Sequence, residues 1–97
     1  MGQRPNRPKN HTFDNRKYQI VWKKVKGCNG LCEAPTNHSS ERRIFIAPSL
    51  KGKELVETLI HESLHAELWC LDEETVTRVA VEITELLSKC DLLKIER

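Results

Sequence analysis

Apolar and polar residues alternate from residue 18 to residue 25, with Tyr18, Ile20 and Trp22 set against Gln19, Val21 and Lys23. That period of two predicts a strand with one buried face. A second short strand is expected at 31–34, after the turn signal Asn29-Gly30, which would set Cys28 and Cys32 opposite one another on a hairpin. Residues 35–40 are loop by composition, and residues 42–47 form a third strand closed by Pro48. Residues 49–52 then lead into a run at 55–69 with helical periodicity, whose start carries Glu54 and Glu57 where the helix dipole favours acids. Asp72 is a good N-cap for a second helix from Glu73 to about residue 87, with Val76, Ala80, Ile83 and Leu87 on one face. The expectation is a small α+β domain, with about three strands packed on the first helix and a second helix at the C-terminal side.

The first helix carries the chemistry. At roughly 100° per residue, Thr58, His61, Glu62, His65 and Trp69 fall within an arc of about 100°, while Leu55, Val56, Leu59, Ile60, Leu64, Ala66 and Leu68 fill most of the remaining surface. A helix this apolar is the centre of a small core, and its one polar stripe holds His61-Glu62-Ser63-Leu64-His65. Two histidines four apart share a helix face and can bind one Zn²⁺, with the intervening glutamate as general base. An incidental solvated stripe would carry Lys or Arg, and this one has neither.

Ninety-seven residues make one domain, and 16 basic against 14 acidic residues leave a net charge of +2, which does not advertise nucleic-acid binding by the chain as a whole. The charge is uneven, however. Arg4, Arg7, Lys9, Arg16 and Lys17 face the single acid Asp14, so residues 1–16 are expected to be a flexible basic tail ahead of a folded domain at 17–97. A solubilising arm is the plainer reading of that tail, and contact with nucleic acid the alternative. The chain contains no apolar run of membrane-spanning length, no signal-peptide core, and Asn6 where a myristoylation signal needs Ser or Thr. A cytoplasmic protein with reduced Cys28, Cys32, Cys70 and Cys90 is expected. A four-thiolate zinc site is the rival metal reading, but Cys70 and Cys90 are about 30 Å apart if the helix between them is continuous.

The succession Ile44-Phe45-Ile46-Ala47-Pro48-Ser49-Leu50, Leu59-Ile60-His61-Glu62-Ser63-Leu64-His65-Ala66 and Leu71-Asp72-Glu73-Glu74-Thr75-Val76 resembles the minimal zincin-like metallopeptidases of bacteriophages and bacteria, distantly SprT-like. The resemblance covers roughly residues 28–87. It implies a zinc-binding fold with a small sheet against the active-site helix, in the host cytoplasm if phage-encoded, and it supplies no substrate.

A catalytic zinc needs a third protein ligand and an open position. Leu68 and Leu71 stand where a metzincin would have Gly and His or Asp, so the ligand must come from Asp72, Glu73 or Glu74. With Val76 at the centre of the buried face, Glu73 lies about 60° away and Glu74 about 160°. Glu73 is therefore the expected ligand, Glu74 the alternative, and Asp72 a cap. The expected function is zinc-dependent hydrolysis of peptide bonds in a peptide or protein substrate, with Glu62 as general base for a zinc-activated water. His38 and Tyr18 are candidates for a second oxyanion donor, and residues 42–47 for a sheet edge that pairs with substrate. Two alternatives stand beside this: a catalytically silent zincin-fold regulatory or binding protein, and a small nucleic-acid-associated protein with a structural metal.

Overall fold

Asp14 and Asn15 both lie in the left-handed region, with φ of 52° and 59°, as a two-residue type I′ hairpin loop requires and short polar side chains tolerate. They join β1 (Asn10–Phe13) to β2 (Arg16–Trp22) in the computed structural model, which describes residues 6–33 and 42–93. The remaining elements are β3 (Gly30–Cys32), β4 (Arg43–Ile46), α1 (Gly52–Glu67) and α2 (Glu73–Lys89). The architecture is α+β, with a four-stranded mixed sheet in the order β1-β2-β4-β3 and two helices.

The hairpin moves the boundary expected at residue 16, because residues 10–16 belong to the sheet. Composition hid this strand, since only Phe13 is large and apolar. That one residue suffices to anchor it. Phe13 is buried, edge-on to Tyr18 with ring centroids 5.6 Å apart, and both sit in the core.

Strand β2 stops at Trp22 rather than Val25, and the chain turns at Gly27 (φ 82°), with Val25 bridged to Cys28. The turn, at Lys26-Gly27, is therefore three residues earlier than Asn29-Gly30 suggested. Asn29 and Gly30 instead begin the β3 ladder, where the Asn29 carbonyl accepts from the Ala47 amide at 2.9 Å. Cys28 and Cys32 thus lie along one segment, not across a hairpin, and β3 pairs antiparallel with β4. Strand β4 also runs parallel to β2, so it is interior, and the edge on that side among the described residues is β3. Register aligns Ile20, Ile44 and Cys32 in one row and Trp22, Ile46 and Gly30 in the next. With side chains alternating between faces, these rows meet Leu55, Leu59 and Ala66 of α1.

Helix α2 packs on α1 and not on the sheet. Its N-terminus is capped as expected, the Asp72 carboxylate accepting from the Thr75 amide at 2.7 Å. The buried face is Val76, Ala80 and Thr84, with Leu87 half-buried, whereas Ile83 is 38% exposed. The face is rotated from the expected centre because Thr84 can be buried: its hydroxyl donates to the Ala80 carbonyl at 2.7 Å, which leaves only the methyl to pack. Among the described residues no helix is long and apolar enough to cross a membrane.

Candidate metal centre

His61 and His65 are one turn apart on α1, with ring centroids 5.0 Å apart and each side chain 20% exposed. The short connection after α1 folds through a turn in which the Leu71 amide donates to the Leu68 carbonyl, and it delivers Glu73 as the first residue of α2. The Glu73 carboxylate spans both rings. Its Oε2 lies 2.8 Å from His61 Nε2 and its Oε1 2.9 Å from His65 Nε2. The two histidines and Glu73 are the one group of three metal-ligating side chains gathered among the described residues, with donor atoms all within 4.8 Å of one another.

This donor set fits zinc. Two imidazole nitrogens and one carboxylate oxygen make a His₂Glu site with a position left for water, and tetrahedral bonds of about 2.0–2.2 Å set neighbouring donors about 3.4 Å apart. The donors here need only small side-chain movements to reach that spacing. Glu74 is exposed and takes no part in the cluster, as its position about 160° from Val76 implies. Asp72 is committed to its cap, and hydrogen bonding to Thr75, from its side chain first and then its amide, holds the Asp72 carboxyl below the usual range.

Glu62 lies on the sheet side of the histidine stripe and is only 6% exposed. Burial, and secondarily the charge of Glu73, push its carboxyl up to about 7. A base that titrates near neutrality is well matched to taking and returning a proton. Its close neighbour is Gly30 of β3. A Cβ built on Gly30 would lie 2.9 Å from Glu62 Oε2 and 2.7 Å from Thr58 Cγ2, so the glycine lets the edge strand settle directly against the carboxylate. Sequence reasoning assigned Gly30 to a turn, although a glycine inside a strand also signals close approach of a neighbour.

The thiols are not assembled into a rival site. Cys70 follows α1 and Cys90 caps the far end of α2, a helix of 17 residues and therefore about 25 Å long. Cys32 is pushed up to about 12 by burial, then by the charges of Glu62 and Glu33, which keeps it a neutral thiol at ordinary pH. Cys28 and Cys32 nevertheless help line the cleft over the histidines, together with Leu31, Trp69 and Leu71, none of which was assigned to the site from sequence. Tyr18 does not serve as an oxyanion donor in this arrangement. It is 2% exposed within the core, where burial raises its phenol. His38 lies outside the described residues.

In comparisons with family models, curated proteins and solved structures, the chain matches none.

Proposed function

We propose that this chain is a zinc-dependent metallopeptidase of zincin-like type, in which His61, His65 and Glu73 hold the ion. One observation carries the reading: a single carboxylate from α2 spans the two histidine nitrogens of α1 at 2.8 and 2.9 Å, with the buried Glu62 between those histidines in sequence. When bound, zinc supplies a Lewis acid that polarises a carbonyl and acidifies water. Glu62 takes the proton from the attacking water and returns it to the leaving amine, a role that suits a carboxylate whose burial brings it near neutrality. Gly30, with no side chain of its own, leaves room for that carboxylate against the edge of the sheet. The edge strand β3 borders the same cleft, so its outer backbone groups are available to an extended peptide.

A second reading draws on the same contact. Because Glu73 already bridges both histidines, the trio pins α2 to α1, and a metal there could act as a staple in a binding protein that does not turn over. The Glu62→Gln variant separates the two. It keeps the shape of the side chain and all three ligands but cannot accept the proton. Under the peptidase reading, wild-type protein carries about one zinc per chain and cleaves a quenched-fluorescent peptide library, while Glu62→Gln carries the same zinc and cleaves nothing. Equal zinc in both with no cleavage by either favours the staple. Absence of zinc from wild-type protein refutes both.

A further inference from the structure

The cleft above the histidines is not uniform along α1. Beside His65 it opens into a cavity of about 540 Å³ whose wall includes Leu31 of β3 and, from the connection after α1, Trp69 and Leu71. On the other side, a cavity of about 190 Å³ is bounded by Asn29, Glu57 and Thr58 as well as by His61 and Glu62. Gly30, His61 and Glu62 border both, so the two cavities meet at the candidate catalytic groups. The larger cavity also takes in His65 and Glu73, so it holds the whole candidate metal centre and runs on from it to an apolar end, whereas the smaller cavity is the polar end of the groove.

The apolar end is formed by side chains that the core leaves out. Trp69 is 47% exposed, and Leu71 is only half-buried. Single exposed apolar residues need no explanation, but here Trp69 and Leu71 from one connection border the same concavity beside polar, chemically competent groups. Such a concavity gains most by covering an apolar side chain, since removing apolar surface from water is favourable. No arginine or lysine is among the described residues that line it, so an acidic side chain or a terminal carboxylate would find no partner there.

We propose that this end of the groove is a specificity pocket in which Trp69 and Leu71 receive a bulky apolar side chain next to the scissile bond, making the substrate class internal peptide segments with such a residue on that one side. The proposal rests on the peptidase reading of the metal centre. It assigns Trp69 and Leu71 to substrate selection, not to holding the ion or moving the proton.

The test measures binding rather than turnover, using the full chain loaded with zinc and two probes, N-acetyl-leucine hydroxamate and N-acetyl-glycine hydroxamate. Both carry the same zinc-binding group, so their ratio isolates the side chain. Calorimetry should show the leucine probe binding at least about tenfold tighter, the scale on which apolar pockets discriminate. Trp69→Ala and Leu71→Ala should each reduce that ratio severalfold while zinc content and affinity for the glycine probe stay within about twofold. The leucine probe should also blue-shift the tryptophan emission of wild-type protein and not of Trp69→Ala. A ratio near one, or a ratio that neither substitution changes, overturns the pocket and leaves the metal centre standing. Failure of both probes to bind a chain that carries zinc overturns the peptidase reading, and the pocket with it.

Discussion

Replacing Gly30 with alanine tests whether the edge strand positions Glu62, the proposed general base. The added methyl would lie 2.7 Å from Thr58 Cγ2, 2.9 Å from Glu62 Oε2 and 3.1 Å from Glu62 Cγ. Carbon contacts that short are not tolerated, so either β3 lifts from α1 or both side chains move. Thr58 is β-branched and sits within α1, which leaves its methyl few alternative positions. Glu62 is buried and cannot swing out without opening the cleft. Overpacking of this kind costs about 1–3 kcal/mol, which for a domain of this size lowers the melting temperature by about 5–20 °C.

The catalytic effect should separate from the metal. None of the three ligands appears among the atoms that the methyl meets, so zinc content and zinc affinity should stay near wild type while kcat falls at least about tenfold, part of the 10²–10⁴ that a well-placed general base contributes. Scanning calorimetry, metal analysis and hydrolysis of a fixed peptide give the three readouts. Thr58→Ser removes the closest contact, so combining it with Gly30→Ala should recover part of the lost stability, a positive coupling in a double-mutant cycle. Wild-type melting temperature and turnover in Gly30→Ala, with no coupling to Thr58→Ser, would show that the strand does not rest on these side chains.

Three further outcomes follow from the same geometry. Glu73→Ala should weaken zinc binding by at least about a hundredfold and Glu74→Ala by no more than about threefold, since one removes a ligand and the other an exposed acid; comparable losses measured by competition with a chelator would remove Glu73 from the site. Phe13→Ala should destabilise the fold by about 3 kcal/mol in urea denaturation, because Phe13 is buried against Tyr18; a loss below about 0.5 kcal/mol would put residues 10–13 back in a tail. In zinc-free protein, Glu62 titrates in the folded state at about 7 against 4.5 unfolded, so folding favours its protonated form. Its burden is absent below about pH 4.5, grows as pH rises to 7 and amounts to about 3 kcal/mol at most above that. Glu62→Gln should therefore be the more stable protein at pH 8, with the advantage over wild type disappearing by pH 4, and a difference independent of pH would rule out this linkage.

The elements that sequence disclosed are those whose periodicity is carried by several residues at once. Both helices, the capping role of Asp72 and the strand at 43–46 belong to this group, because a helical stripe or an alternating run repeats its signal and survives one misleading position. The strand at 10–13 has no such redundancy. Three of its four residues are exposed, and its place is set by Phe13 and by a hairpin loop of Asp and Asn, which looks like linker composition unless the conformational demand of the turn is considered. The misplaced turn at Asn29-Gly30 has the opposite origin. A strong local turn signal was overridden by pairing with β4, which uses the Asn29 carbonyl as an acceptor and needs Gly30 small for a contact with α1 that no local pattern contains.

The candidate site divides along the same line. His61, Glu62 and His65 are legible because helical spacing alone places them, and Glu73 is legible because two antiparallel helices joined by a short connection leave few acids able to reach back. Even so, the buried face of α2 differs from the expected one: Ile83 is exposed and Thr84 buried, a rotation toward Glu73, which stands with His61 and His65 while Glu74 does not. The groove could not be read in this way. Trp69 continues the stripe of the histidines in sequence, but Leu71 comes from the irregular connection after α1 and shares no such stripe; only the tertiary arrangement brings it to the cleft. The proposed metal centre rests on one helix and the first residue of another, whereas the proposed pocket also draws on a connection with no regular pattern. Substitutions at Trp69 or Leu71 should therefore be able to alter which peptide binds without disturbing the ligands, a separation that would not hold if the cleft were built from α1 alone.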